Sequence, residues 1–198
     1  MRVNVKPGAD AHTVWKEKMM RYGCYIDSLV GVLQLVEKDG ALTHVLFCSR
    51  RSPKPPTEKG HEVLASVGGK TVYFEEAKTP LLAEVERQLT EYFHGERTVF
   101  DIPLAPEGTP FQLKAWEGLQ TIPYGETRTY KQMAEYAGSP RGYRAIGLAN
   151  NRNPISIIVP CHRVIGSDGK LVGFGGGLDT KQLLLELEKI TLEQGGNE

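Results

Sequence analysis

Apolar and polar positions alternate in two different rhythms along the chain. Ser28 to Glu37 (SLVGVLQLVE) and Leu42 to Cys48 (LTHVLFC) are apolar-rich runs on either side of Lys38-Asp39-Gly40. Asp-Gly between such runs predicts a β-hairpin, because its two turn positions take positive φ. Arg50 to Gly60 (RRSPKPPTEKG) is rich in proline and charge and predicts an exposed loop. The rhythm then turns helical. Thr79 can cap, Pro80 suits the first helical position, and Leu81, Val85 and Leu89 recur at helical spacing until Gly95 stops the run. Thr98 to Leu104 predicts a short strand. Ala105-Pro106-Glu107-Gly108 is the best boundary, dividing the chain into residues 1–104 and 105–198.

The second part is punctuated by caps. Thr109-Pro110-Phe111-Gln112 is a capping box with proline at the first helical position, predicting a helix to about Ile122 before Pro123-Tyr124-Gly125 breaks it. Thr129-Tyr130-Lys131-Gln132 is a second capping box, and Gly138 ends that helix. Ser139-Pro140 predicts an immediate third helix with Tyr143, Ile146 and Gly147 on one face. Two short helices joined by a tight Gly-containing turn make a helix-turn-helix, which can bind DNA or be a plain packing solution. Gly142, Ala145, Gly147 and Ala149 would let the last helix approach a partner closely, and glycine inside a helix costs about 1 kcal/mol relative to alanine.

Past Asn153-Pro154, the apolar run Ile155 to Val159 predicts a buried strand or extended segment that delivers Pro160-Cys161-His162-Arg163-Val164. Pro160 sets its own φ and biases Val159 towards extended geometry. A lone cysteine in such a place is ordinarily a small core residue. In an extended chain Cys161 and His162 would point to opposite faces, so their coupling would need a turn or a bridging water. A nearby imidazole and a basic neighbourhood would help to populate a nucleophilic thiolate. Beyond this segment Ser167-Asp168-Gly169-Lys170 reads as a turn, Gly175-Gly176-Gly177 as a flexible junction, and Asp179 to about Glu193 as an amphipathic helix.

Composition changes this picture in three ways. Formal net charge is zero, yet Arg128, Lys131, Arg141, Arg144, Arg152 and Arg163 face only Glu135 within their segment, a local basic patch on a neutral chain. The three cysteines, Cys24, Cys48 and Cys161, are odd in number and widely spaced, which fits a reducing compartment and proposes neither a disulfide framework nor a metal site. No apolar run approaches the roughly 20 residues of a membrane span. Met1 to Gly23 lacks a signal-peptide core, so the expected location is inside the cell, in cytoplasm or nucleus.

Thr109 to Glu188 resembles the C-terminal domain of the O6-alkylguanine-DNA alkyltransferases, the methylated-DNA–protein-cysteine methyltransferases. The resemblance rests on Pro160 to Val164, and on Tyr124-Gly125-Glu126-Thr127, Tyr130, Arg144-Ala145-Ile146-Gly147, Asn153-Pro154, Gly176-Gly177-Leu178, Lys181 and Glu188, in order and at family-like spacing. Residues 1–104 are similar only loosely to the family's variable N-terminal domain. The implied fold is a small sheet with a helix, followed by a mainly helical domain holding the helix-turn-helix. The resemblance implies single-turnover transfer of an alkyl group from guanine O6 to Cys161, without metal or cofactor. His162 would act through a water as the base and Glu188 would orient it. Asn153 would hold the turn, Tyr130 would donate to guanine N3, and Lys181 would lie nearby. The backbone at Val164 and Gly175 would read the base. It also implies a monomer binding double-stranded DNA through the minor groove with Arg141, Gly142, Tyr143, Ala145 and Gly147, while Arg144 fills the space left by a flipped nucleotide.

Three positions depart from the family pattern. Tyr143 stands where relatives often have Ala, Ser156 where many have Pro, and Phe174 where some have Tyr. They leave the groove fit, the tolerance of bulky adducts and the pocket wall open, but not the acceptor chemistry. Relatives with Trp in place of the cysteine bind lesions without repair, and Cys161 argues against that here. The competing functions are a lesion-binding module with an inert Cys161, a transcriptional regulator, and a cysteine hydrolase using Cys161 and His162.

Overall fold

The computed structural model describes residues 21–48, 61–63 and 73–195. The loop expected over Arg50 to Gly60 lies outside the described residues. A five-stranded sheet in the order β3-β2-β1-β5-β4 is built from β1 (Arg21–Ile26), β2 (Leu33–Lys38), β3 (Ala41–Phe47), β4 (His61–Val63) and β5 (Tyr73–Glu76). β1, β2 and β3 run antiparallel, β1 pairs in parallel with β5, and β4 closes the edge antiparallel to β5. The hairpin falls where Asp-Gly predicts it: Asp39 and Gly40 take φ of 54° and 76°. The run from Ser28 is not strand at its start, because Ser28 and Gly31 close a turn with reciprocal backbone hydrogen bonds, and the strand begins at Leu33. The central strand β1 was not foreseen, since RYGCYI carries no clean alternation.

Helix α1 (Pro80–Phe93) starts as predicted, with the Thr79 hydroxyl accepting from the Leu82 N–H at 3.2 Å. Its face of Leu82, Val85, Leu89 and Tyr92 is fully buried and packs over the sheet. The strand expected at Thr98 to Leu104 does not form. Gln88 on α1 takes up both backbone groups of Asp101 with its side-chain amide (3.2 and 2.9 Å), leaving only an isolated bridge from Leu104 to Leu42.

The second part contains α2 (Pro110–Gln120), β6 (Arg128–Thr129), α3 (Tyr130–Tyr136), α4 (Tyr143–Asn151), a 3-10 turn at Cys161–Arg163, β7 (Val164–Ile165) and α5 (Leu178–Gly195). Both capping boxes form in full, on Thr109 and on Thr129. β6 and β7 pair in parallel. The third helix begins at Tyr143 and not at Ser139, because Ser139 to Gly142 closes a turn by a 2.7 Å hydrogen bond. Gly142 is therefore the N-cap residue, and Ile146 is buried while Tyr143 points outward. The observed architecture is the expected one, a small sheet with a helix followed by a mainly helical part with a helix-turn-helix. Among the described residues no helix is long and apolar enough to cross a membrane.

The two parts are joined through their interior. Buried side chains from Cys24 to Leu184 form one continuous cluster. The edge strand β3 also holds the segment ahead of Cys161: the Val45 N–H donates to the Pro154 carbonyl (2.8 Å), and the Ser156 N–H donates to the Val45 carbonyl (3.1 Å). Leu89 sits in this shared cluster at zero exposure. Leu89→Ala should lower the unfolding free energy by about 2–5 kcal/mol, read by urea denaturation. A loss below about 1 kcal/mol would show that α1 is peripheral to the core.

Candidate active site around Cys161

The segment that presents Cys161 is a turn, not the expected buried strand. Asn153 closes it: its amide nitrogen donates to the Val159 carbonyl (2.7 Å) and its oxygen accepts from the Ile155 N–H (3.1 Å). The Val159 N–H reaches back to the Ile155 carbonyl at 2.9 Å. Within this turn Ile157 takes φ of 73°, a left-handed conformation that costs a β-branched residue about 1–3 kcal/mol and persists only where the surroundings enforce it. Burial supplies the enforcement, since Ile155, Ile157, Ile158 and Val159 all face the core. The backbone then enters the 3-10 turn at Cys161, where successive side chains diverge by about a third of a turn. Cys161 and His162 consequently do not project to opposite faces.

Cys161 is 5% exposed. Burial pushes its thiol up, against the opposing pull of the Asn153 side chain and the Lys181 charge, so the resting group is a thiol that needs a base. His162 is fully buried, and burial lowers its pKa despite the neighbouring Glu188 carboxylate, so the imidazole is neutral at pH 7. Burial would raise Glu188, but His162 and Arg163 outweigh it and hold the carboxylate at about 2. An ionised carboxylate only accepts hydrogen bonds. The 2.8 Å contact between His162 Nε2 and Glu188 Oε1 therefore puts the ring proton on Nε2 and leaves the Nδ1 lone pair available. Nδ1 is buried and has no hydrogen-bond partner among the described residues.

Glu188 does more than orient the imidazole. It accepts from the Tyr92 hydroxyl (2.8 Å), from the Gly125 N–H (2.9 Å), and from Arg163 through Nε and a terminal nitrogen (2.9 Å each). Arg163 also donates to the Ile122 carbonyl (2.7 Å) and lies over the Tyr124 ring. Gly125 has φ of 74°, a left-handed backbone that favours glycine, where the chain offers its N–H to Glu188. Arg163 and Tyr92 were not among the expected site residues. Arg163 could have been taken from its own motif; Tyr92 carries no local signal.

Lys181 is fully buried, donating to the carbonyls of Val164 (2.6 Å) and Val172 (2.9 Å), and burial lowers its pKa. The Tyr130 hydroxyl also donates to the Val172 carbonyl, at 3.1 Å. The Val164 carbonyl accepts from Lys181 and its N–H donates to the Cys161 carbonyl, which leaves the second lone pair of the Val164 carbonyl available. Gly175 is exposed with open space around it. Phe174 packs edge-on against Phe47 and His162, and Ser156 is buried.

Beside the site, α4 lines a cavity of about 660 Å³ together with Tyr130, Arg141 and Val172. Tyr143, Arg144 and Gly147 contribute the helix side, with Ala145 exposed next to them. The Arg144 guanidinium lies 6.0 Å from the Tyr143 ring centroid. Lys131, Arg141, Arg144 and Arg152 form no ion pair among the described residues, whereas Arg128 pairs with Glu126. Gly142 is explained by the fold, since a Cβ would meet Ser139 at 2.5 Å. Gly147 is not: a Cβ there would meet nothing nearer than Tyr130 at 3.9 Å.

The chain matches two family descriptions, 6-O-methylguanine DNA methyltransferase, ribonuclease-like domain, over residues 20–106, and 6-O-methylguanine DNA methyltransferase, DNA binding domain, over residues 110–190. It is 48% identical over 167 residues to the methylated-DNA–protein-cysteine methyltransferase of Methanosarcina barkeri, covering 84% of this chain and 96% of that protein. The corresponding protein of Mycolicibacterium paratuberculosis is 46% identical over 164 residues, covering 83% and 90%. The crystal structure of Mycobacterium tuberculosis O6-methylguanine methyltransferase superposes with a TM-score of 0.72 at 42% identity, over 87% of this chain and 94% of that one. The same organism's OGT in complex with DNA superposes at 0.71 with 42% identity, over 86% and 94%. With both halves matched and the similarity running almost the whole length of these two relatives, the chain belongs to the methylated-DNA–protein-cysteine methyltransferase family.

Proposed function

We propose that this protein repairs DNA by direct reversal, moving the alkyl group from O6 of guanine in duplex DNA onto Cys161, once per molecule. The observation that carries the reading is a buried thiol and a neutral imidazole on successive residues of one 3-10 turn, with the ring proton fixed on the Glu188 side. His162 Nδ1 takes the thiol proton through a water. The Cys161 sulfur then forms its bond to the alkyl carbon while the carbon–O6 bond breaks and its electron pair passes to the guanine. Tyr130 turns its hydroxyl from Val172 to N3 of the base, and the proton removed from the thiol is returned to the guanine. What remains is guanine and a thioether, so the cysteine is consumed. Asn153 and Lys181 hold the turn and the neighbouring carbonyls in place, and Gly175 supplies exposed backbone to the base edge.

The reactive O6 is stacked inside a duplex, so the base must be flipped out, at a cost of about a few kcal/mol. In this reading α4 enters the minor groove, which is only about 6 Å wide, with Ala145 and Gly147 allowing close approach. Arg141 contacts the backbone, Arg144 fills the vacated stack, and Tyr143 lies against its guanidinium. Unpaired arginines on this face and the open space beside Gly147 support this assignment. The proposed working form is an intracellular monomer, with residues 105–198 holding the DNA-binding and acceptor groups and the described strands and helix of residues 1–104 packed against them.

Intact-protein mass after mixing with a duplex carrying one O6-methylguanine tests the reaction. The wild type should gain one methyl group, mapped to Cys161, and Cys161→Ala none. Tight lesion binding without a mass gain would make this a binding module instead. Arg144→Ala should slow repair of duplex about tenfold or more relative to reaction with free O6-methylguanine, reflecting at least about 1.4 kcal/mol of lost compensation for flipping. Equal losses on both substrates would contradict that role. Because His162 acts as a base only when neutral, and burial lowers its pKa, the rate should hold through pH 7 and decline only below the ordinary imidazole value of 6.5. Glu188→Gln should cut the alkyl-transfer rate and also destabilise the fold by about 3–5 kcal/mol, through the Arg163 charge left unpaired, with DNA affinity nearly unchanged. A selective loss of DNA affinity would remove Glu188 from the chemistry.

A further inference from the structure

We infer that Tyr92, on helix α1 of the N-terminal part, is a positioning residue of the alkyl-transfer site that sets the basicity of His162 through Glu188. The inference rests on the reading of His162 as the base.

The geometry is direct. The Tyr92 hydroxyl donates to Glu188 Oε1 at 2.8 Å, and His162 Nε2 lies 2.8 Å from that same oxygen. Tyr92, Glu188 and His162 are each at zero exposure, so water does not compete for these bonds. The ring is held edge-on against Phe93 and Tyr124 and tilted against Phe100, with centroids 5.4–5.9 Å away. A phenylalanine would satisfy that packing equally well. Only Glu188 explains the hydroxyl. Burial, then the carboxylate, raises the Tyr92 pKa well above the usual phenol value, so the group remains a donor throughout the working pH range.

A donor on Oε1 draws charge from the oxygen that faces the imidazole. The remaining groups around this centre are Arg163 and the Gly125 N–H on the carboxylate, Tyr124 beside Arg163 and Tyr92, and Lys181, whose charge also acts on His162. Tyr92 is the neutral member whose donation can be removed or strengthened without altering any charge. Without it, Glu188 presents a more negative oxygen, the imidazolium is favoured, and His162 loses its proton only at higher pH. A stronger donor has the opposite effect.

The test is the pH profile of single-turnover methyl transfer from a duplex bearing O6-methylguanine, at saturating protein. It uses the wild type, Tyr92→Phe, and the protein with 3-fluorotyrosine placed at position 92. Tyr92→Phe should move the acidic limb up by about half a pH unit or more, and the fluorinated ring, a stronger donor of nearly unchanged shape, should move it down. DNA affinity should stay the same in both. Should the phenylalanine variant fail to fold, the fluorinated protein alone decides the question. Limbs that coincide with the wild type, even beside a lower melting temperature, would reduce Tyr92 to a packing residue. A wild-type profile with no acidic limb would instead overturn the base role of His162, and the Tyr92 assignment with it.

Discussion

Glu188 is a carboxylate at zero exposure, and removing such a charge from water costs several kcal/mol unless other groups replace its hydration. The replacement here comes from three distant stretches of chain. Tyr92 arrives from α1, Gly125 from the loop before β6, and His162 and Arg163 from the 3-10 turn, all meeting a side chain that α5 carries inward. Each donor satisfies the carboxylate and is itself fixed by it. The imidazole acquires its tautomer, the guanidinium its counterion, and the helix its rotation. Charge is kept inside this protein because one ionised group organises several neutral and cationic ones.

The acceptor turn depends on the same economy of buried polar groups. Asn153 ties the ends of the turn, the edge of β3 extends onto it at Ile155, and the surrounding apolar side chains hold Ile157 in a strained conformation. These constraints reach Cys161 from both parts of the chain. Its thiol is buried and protonated at rest, which guards it against casual oxidation. The N-terminal sheet and helix are thus mechanically part of the site.

Electrostatics on the opposite side of the site follow another rule. Buried Arg163 is paired with Glu188 and buried Lys181 is held by two carbonyls, whereas the exposed Lys131 of α3 and Arg144 of α4 form no ion pair among the described residues. Gly142 is demanded by the turn it caps, whereas at Gly147 the fold itself has room for a side chain.

How much of this could be read from the chain alone depends on how local each cause is. The helix starts at Thr79, Thr109 and Thr129 and the Asp39-Gly40 turn are set by neighbours three residues apart or fewer, and the fold keeps all of them. The acceptor motif and the basic segment, likewise contiguous, declare the chemistry and its partner. Non-local causes stay hidden. Gln88 takes the hydrogen bonds that a strand near Asp101 would have used, and Asn153 with the edge of β3 bends an apolar run that reads as extended. Tyr92 reads as a core aromatic until Glu188, on the last helix, is brought to its hydroxyl. Local propensity and motif chemistry belong to the sequence by itself. Which buried polar groups would find one another was decided only by the tertiary structure, because their pairing depends on where distant segments pack.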